Sequence, residues 1–420
     1  MTPFAESVRG RWLAFVAWSL VVFSLVPFAN DLQRWIHARL GSRALFYGLV
    51  AALVLAVVLT GRWLAVHRPQ QLWQCLAWIV AVSSLLGAWG WVLRNAAGAG
   101  HLAAFSILGA LAFRAFRPHL GDAGVYLAAT AASAVVGTVD EILQWLTPGR
   151  IWDLADLGVN AGTAALVQVL IWKGLRPVGV NAGVSARSWR VVSRWLAVEA
   201  LLVLACVSNT PGRIAWYAER IPGLGYLGKE RKTQMLDYGH WLSDPEIGRF
   251  RSRLSREELA RADRERGPEA ARALRAHRGR AKQAALAKSH PPWRDPLVAE
   301  MREHLTTRNR ERRKALDALA GDPGLARRHA TAAFREQLIL ERYFADTLDH
   351  FGDGLSGAAR EQLATLQDPD ADYRSPVAER LETRFSEAGA RYSLIALLIL
   401  LVVADRLAAR KDTPSQSLTP

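Results

Sequence analysis

Eight apolar stretches constrain this chain more than anything else in it. A run of about 18 or more apolar residues is long enough to cross the hydrocarbon core of a bilayer as a helix. Such runs occur near 12–29, 44–66, 72–93, 101–117, 123–146, 155–173, 191–208 and 391–408. Residues 209–390, between the last two, are charged and rich in Ala, Arg, Glu and Leu. The pattern predicts an all-α fold, a polytopic membrane helix bundle of about eight spans with an all-helical extracytoplasmic domain between the last two. The expected divisions are N-terminal spans at 1–71, a membrane domain at 72–173, and a cytoplasmic loop and seventh span at 174–208. A helical domain follows at 209–390, then the final span and tail at 391–420. No small-x-small site follows the first run before Asp31, so that run reads as a retained anchor.

Orientation follows from the distribution of Lys and Arg in short loops. With the N-terminus inside, the inner segments carry Arg9, Arg11, Arg62, Arg68, Arg114, Arg117, Lys173, Arg176 and Arg187, among others, while the outer loops carry few. The bias alternates through all eight spans. It puts both termini in the cytoplasm and 209–390 outside, which in a Gram-negative cell is the periplasm of the inner membrane. Many of the 16 Trp lie near expected helix ends, including Trp12, Trp35, Trp63, Trp73, Trp145, Trp152 and Trp172, as in an interfacial belt.

A net charge of +15 would suggest nucleic acid for a soluble protein. Here much of it follows from the positive-inside bias, and the rest lies mainly in 249–314, outside the membrane. The partners expected are therefore membrane lipids, anionic or polyprenyl-linked, and a periplasmic protein for 209–390, not nucleic acid. Cys75 and Cys206, the only cysteines, fall in apolar helices and make no disulfide framework. No His-Glu-x-x-His or Cys-x-x-Cys spacing occurs, so no metal or cofactor is expected.

Within 209–390, Ser255-Arg-Glu-Glu258 has the capping-box pattern of a helix start. Pro268, Ser356 and Ser375-Pro376 also look like helix starts. Residues 295–319 and 324–350 read as helices, and Asp237-Tyr-Gly-His-Trp241 as a helix end with a packed Trp. The Arg-rich stretch 249–280 reads as a solvated, salt-bridged face.

The densest polar cluster sits between two apolar runs, in Glu141 to Gly162. Thr130, Ser133, Gly137, Glu141 and Gln144 recur at helical spacing and line one face. After the Pro148-Gly149 turn, Asp153, Asp156, Asn160 and Thr163 line one face of the next helix. Ionisable groups at membrane depth are costly and usually face a partner, a cavity or a ligand. The candidate ligand-binding residues are His101, Glu141, Gln144, Arg150, Asp153, Asp156 and Asn160.

The pattern Glu141-x-x-Gln144, Pro148-Gly-Arg150, Asp153-x-x-Asp156 and Asn160-x-Gly162 resembles the signature of the VanZ-like family, membrane proteins linked to teicoplanin resistance. His101, in Gly100-His-Leu-Ala-Ala-Phe105, matches that family's upstream histidine. The lysine that commonly precedes it has no counterpart here. The resemblance covers roughly 72–173 and implies a small helical membrane domain with a role in the cell envelope.

Three readings of the cluster follow. It is interhelical glue, in which Arg150 pairs with Asp153 or Asp156, Asn160 caps or crosslinks helices, and Glu141 bonds Gln144 or His101. It binds an anionic head group through Arg150 and His101. Or it is an active site in which Glu141 or Asp156, beside His101, serves as base or nucleophile on a lipid-linked phosphate or glycan. A further alternative makes the membrane part a scaffold that presents 209–390.

Overall fold

Apolar length and the breaks in it lay out the membrane helices. The computed structural model describes residues 7–412 apart from 42, 94, 95, 149, 228–234 and 278, with backbone alone at 96, 97, 280–283, 411 and 412. Gly149 of the Pro-Gly turn thus lies outside the described residues. Helix α1 (Val8–Leu25) opens on Ser7, whose hydroxyl accepts from the Gly10 amide at 3.0 Å. A 3-10 turn at Val26–Phe28, containing Pro27, separates it from α2 (Ala29–Leu40). Then come α3 (Ala44–His67), α4 (Leu72–Leu93), α5 (Ala96–Phe116), α6 (Gly124–Leu146) and α7 (Leu154–Val169). A π turn, Leu170–Leu175, ends α7, and α8 (Ala186–Val207) and the short α9 (Pro211–Ala218) follow.

Strands β1 (His240–Asp244) and β2 (Gly248–Ser252) form an antiparallel hairpin. Next are α10 (Arg256–Ala276), α11 (Arg280–Ser289), α12 (Pro296–Ala318), α13 (Pro323–Tyr343), α14 (Ala345–Phe351) and α15 (Gly357–Leu366). Helix α16 (Glu387–Asp412) carries the last apolar run. Among the described residues, seven helical segments are long and apolar enough to cross a membrane, or eight if α8 and α9 count as one broken span. This is a multi-pass, helical membrane protein.

The chain divides into two compact units. One consists of the chain through Asn209, Ala218–Met235 and the part from Ala390 on; the other is Thr210–Tyr217 with Leu236–Gly389. In the membrane unit, α7 packs against α5 and α6, α6 against α8, and α1 against α5. Phe105, Leu108, Val125, Ala129 and Val167 fill the centre. Two glycines permit the close approach. A Cβ on Gly137 would stand 2.9 Å from Cβ of Asn160 and 3.2 Å from the Phe105 ring, and one on Gly162 would stand 2.6 Å from the Trp89 ring. Small residues at crossing points let membrane helices meet closely. Trp145 and Trp152 are buried in the protein. Cys75 and Cys206 are buried free thiols.

The second unit is helical except for its hairpin, and several local expectations change there. The segment Asp237–Trp241 leads into β1 and is not a helix end. Trp241 lies under the guanidinium groups of Arg251, at 4.3 Å, and Arg374, at 4.7 Å. The capping box at Ser255 is present as expected. Pro268 does not open a helix but sits inside α10. A mid-helix proline removes a backbone bond and crowds the preceding turn. Here α14 holds the helix in place, since Gly267 abuts the Asp346–Thr347 backbone, and Asp263 accepts from the amides of Asp346 (2.9 Å) and Thr347 (3.0 Å). The expected 324–350 helix is two helices, broken at Phe344. Ser375 caps no helix, because its hydroxyl donates to Glu336 at 2.6 Å and its amide pairs with the Arg249 carbonyl. The Arg-rich stretch is not uniformly solvated either. Arg253 is largely buried between Asp237 and Glu300.

Candidate functional site

The cluster forms where the end of α6, the start of α7 and the start of α5 meet. Asp140 and Glu141 are adjacent on the last turns of α6, and both are buried. Gln144, one turn on, places its amide nitrogen between them, donating to Asp140 Oδ2 at 2.9 Å and to Glu141 Oε1 at 2.8 Å. Its amide oxygen accepts from Arg150. A second Arg150 nitrogen donates to Asn30 Oδ1, on the first turn of α2, at 2.6 Å. The Asp153 amide donates to Glu141 Oε2 at 3.3 Å. From α5, His101 Nδ1 meets Asn160 Oδ1 of α7 at 3.0 Å. Asn160 is fully buried, and its Nδ2 has no partner among the described residues.

Five of the seven candidates are thus joined by hydrogen bonds between side chains, in two groups. Arg150, Gln144 and Glu141 form one chain, and His101 and Asn160 form a pair beside it. The other two behave differently. Asp153 has an exposed side chain that accepts from the Ala155 amide at 2.8 Å, so it is the N-cap of α7. The Asp156 side chain makes no hydrogen bond among the described residues, although it is close enough to Asp140 and Glu141 to act on both electrostatically. Other polar residues of the two faces are satisfied within their own helices. Thr130, Ser133 and Thr163 donate to the carbonyls of Tyr126, Ala129 and Val159.

The expected pairing of Arg150 with Asp153 or Asp156 does not occur. Among the described residues, the Arg150 guanidinium contacts two neutral amide oxygens and no carboxylate. The Asp153 side chain is taken up in capping α7, and Gln144 presents its oxygen to Arg150 and its nitrogen to Asp140 and Glu141.

Two acids went unforeseen. Asp140 lies four residues before Gln144, so the spacing that picked out Glu141 also admits it. Glu199 of α8 accepts from Thr138 at 2.7 Å, a pairing with no local signature in the sequence. His101, Asp140 and Glu141 can each turn one ligating atom toward the others, all within 4.8 Å. No short motif signals that trio, because its members come from two separate helices.

A cavity of about 230 Å³ adjoins the cluster. Trp18, Val21, Val22 and Leu25 of α1 wall it on one side, and Ala29, Leu32, Gln33 and Ile36 of α2 bound it as a stripe at helical spacing. Its polar end is made by His101, Asp140, Gln144 and Arg150. Such a cavity can take a molecule with one polar and one apolar end.

Comparison with family models, with curated proteins and with solved structures finds no match to this chain. The likeness to the VanZ-like signature therefore rests on the spaced polar residues alone.

Proposed function

We propose that the membrane unit binds an anionic lipid or a lipid-linked envelope intermediate, with its head group at the His101–Arg150 end of the cavity and its apolar part along α1 and α2. The observation that carries this reading is the polarity of the cavity, apolar along its helical walls and charged at one end. A guanidinium has five N–H donors. Two Arg150 nitrogens are engaged by Asn30 and Gln144, which orient the fork and leave further donors for a phosphate or carboxylate. The spaced motif at 141–162 supports a VanZ-like assignment for 72–173 and, with it, a role in the cell envelope or in glycopeptide resistance. The loop charges support a bacterial inner-membrane protein with cytoplasmic termini and a periplasmic 209–390 unit, available to a protein partner.

Mass spectrometry of lipids retained by the protein in native membrane patches tests this reading. The expected result is an anionic lipid enriched over the surrounding membrane and lost in Arg150→Gln. A lipid profile equal to bulk membrane, or unchanged by that substitution in a well-folded protein, would refute it.

A further inference from the structure

The cluster is rich in carboxyl groups. Asp140, Glu141 and Asp156 converge within electrostatic reach of one another, and none of them forms an ion pair among the described residues. The nearest guanidinium, Arg150, is held off by Gln144. Buried carboxylates normally have a paired cation or coordinate a metal. We propose that His101, Asp140 and Glu141 form a binding site for a divalent first-row transition ion such as Zn²⁺.

Three features of the site support this. The donor set of one imidazole and two carboxylates suits such an ion, and the three ligating atoms already lie within 4.8 Å of one another. The supporting shell is also in place. A metal-bound histidine usually gives its other ring N–H to an oxygen, which fixes the tautomer. Asn160 Oδ1 stands 3.0 Å from His101 Nδ1, and an N–H donated there would leave the lone pair on Nε2 for the ion. The two carboxylates are steadied by the Gln144 amide and by the Asp153 backbone. Finally, the site has access. His101 and Asp140 both line the 230 Å³ cavity, so a three-ligand ion would keep a position open toward it. The inference goes beyond the lipid reading and stands without it, since it rests on the three ligands and their supports.

The test uses full-length protein in detergent, stripped with a chelator and titrated with Co²⁺, whose visible d–d absorption reports nitrogen and oxygen ligation. The expected result is a band that saturates at one ion per chain and is removed by competing Zn²⁺. Asp140→Asn with Glu141→Gln, and separately His101→Ala, should weaken Co²⁺ binding at least tenfold. Glu361→Gln, exposed on α15 in the other unit and remote in sequence from the trio, should bind as the parent does. Absence of a saturable band in the monodisperse parent protein overturns the proposal without recourse to any variant. So does a band that survives the double substitution, or one lost equally in Glu361→Gln.

Discussion

Gln144 is the residue on which the site's geometry turns. Its amide satisfies two carboxylates and one guanidinium at once, so no isosteric apolar side chain can replace it. Gln144→Met should leave Asp140, Glu141 and Arg150 short of a partner each. A stranded buried group in water-soluble proteins costs about 1–3 kcal/mol, and polar bonds between membrane helices are weaker. A total loss of about 2 kcal/mol is expected from denaturant unfolding in micelles, and a change under about 0.5 kcal/mol would show that the amide is a bystander. Arg150 makes a second prediction at this scale. Arg150→Lys should express normally yet lose most lipid retention, because an ammonium cannot hold both amide oxygens and a ligand in the fork geometry. Equal retention by Lys would show that the charge alone matters.

At the scale of elements, the meeting of α5, α6 and α7 depends on Gly137. Gly137→Ala would place a methyl group 2.9 Å from Asn160 Cβ, so the helices must part or Asn160 must turn away from His101. Expected are a lower melting temperature and weaker Co²⁺ binding, and unchanged values for both would mean that the crossing has slack. The hairpin of the second unit has its own support. Burial alone would raise the Asp244 carboxyl, but hydrogen bonds from Arg342 (2.7 Å), the Glu246 amide (3.0 Å) and Tyr343 (3.2 Å) outweigh it and hold the group below the usual carboxylate range. A depressed folded value means that Asp244 contributes stability above the ordinary carboxylate pKa of about 3.9, and that this is lost as pH falls through the folded value. Hydrogen exchange at β1 and β2 should therefore quicken in acid, and Arg342→Met should weaken that dependence, leaving the share due to the Glu246 amide and Tyr343. The membrane helices were legible because length and apolarity suffice to specify a span. The hairpin was not, because Trp241 and Phe250 are strand residues set among arginines, whose packing against Arg374 and His304 is non-local. Asp140 was legible in principle, whereas Asn30 was not, since only the fold brings α2 to Arg150.

At the scale of the whole molecule, the membrane unit is discontinuous in sequence, with α8 before the charged helical unit and most of α16 after it. The loop charges predict that Arg264, exposed on α10, lies outside the cell membrane and that Arg410 lies inside. With the buried Cys75 and Cys206 replaced by Ala, Arg264→Cys should react with a membrane-impermeant maleimide in spheroplasts and Arg410→Cys should not. The opposite pattern would invert the topology and move the polar cluster to the inner leaflet.

The Gln144 amide also makes the two ends of the cluster thermodynamically reciprocal. A cation on the Asp140–Glu141 side and an anion on the Arg150 side attract each other across one amide, in a setting with little water to screen them. Whatever factor bound Co²⁺ adds to the affinity for an anionic lipid, the lipid must add to the affinity for Co²⁺. Two titrations, each run with and without the other ligand, should return one coupling constant, and Gln144→Met should alter it in both directions equally.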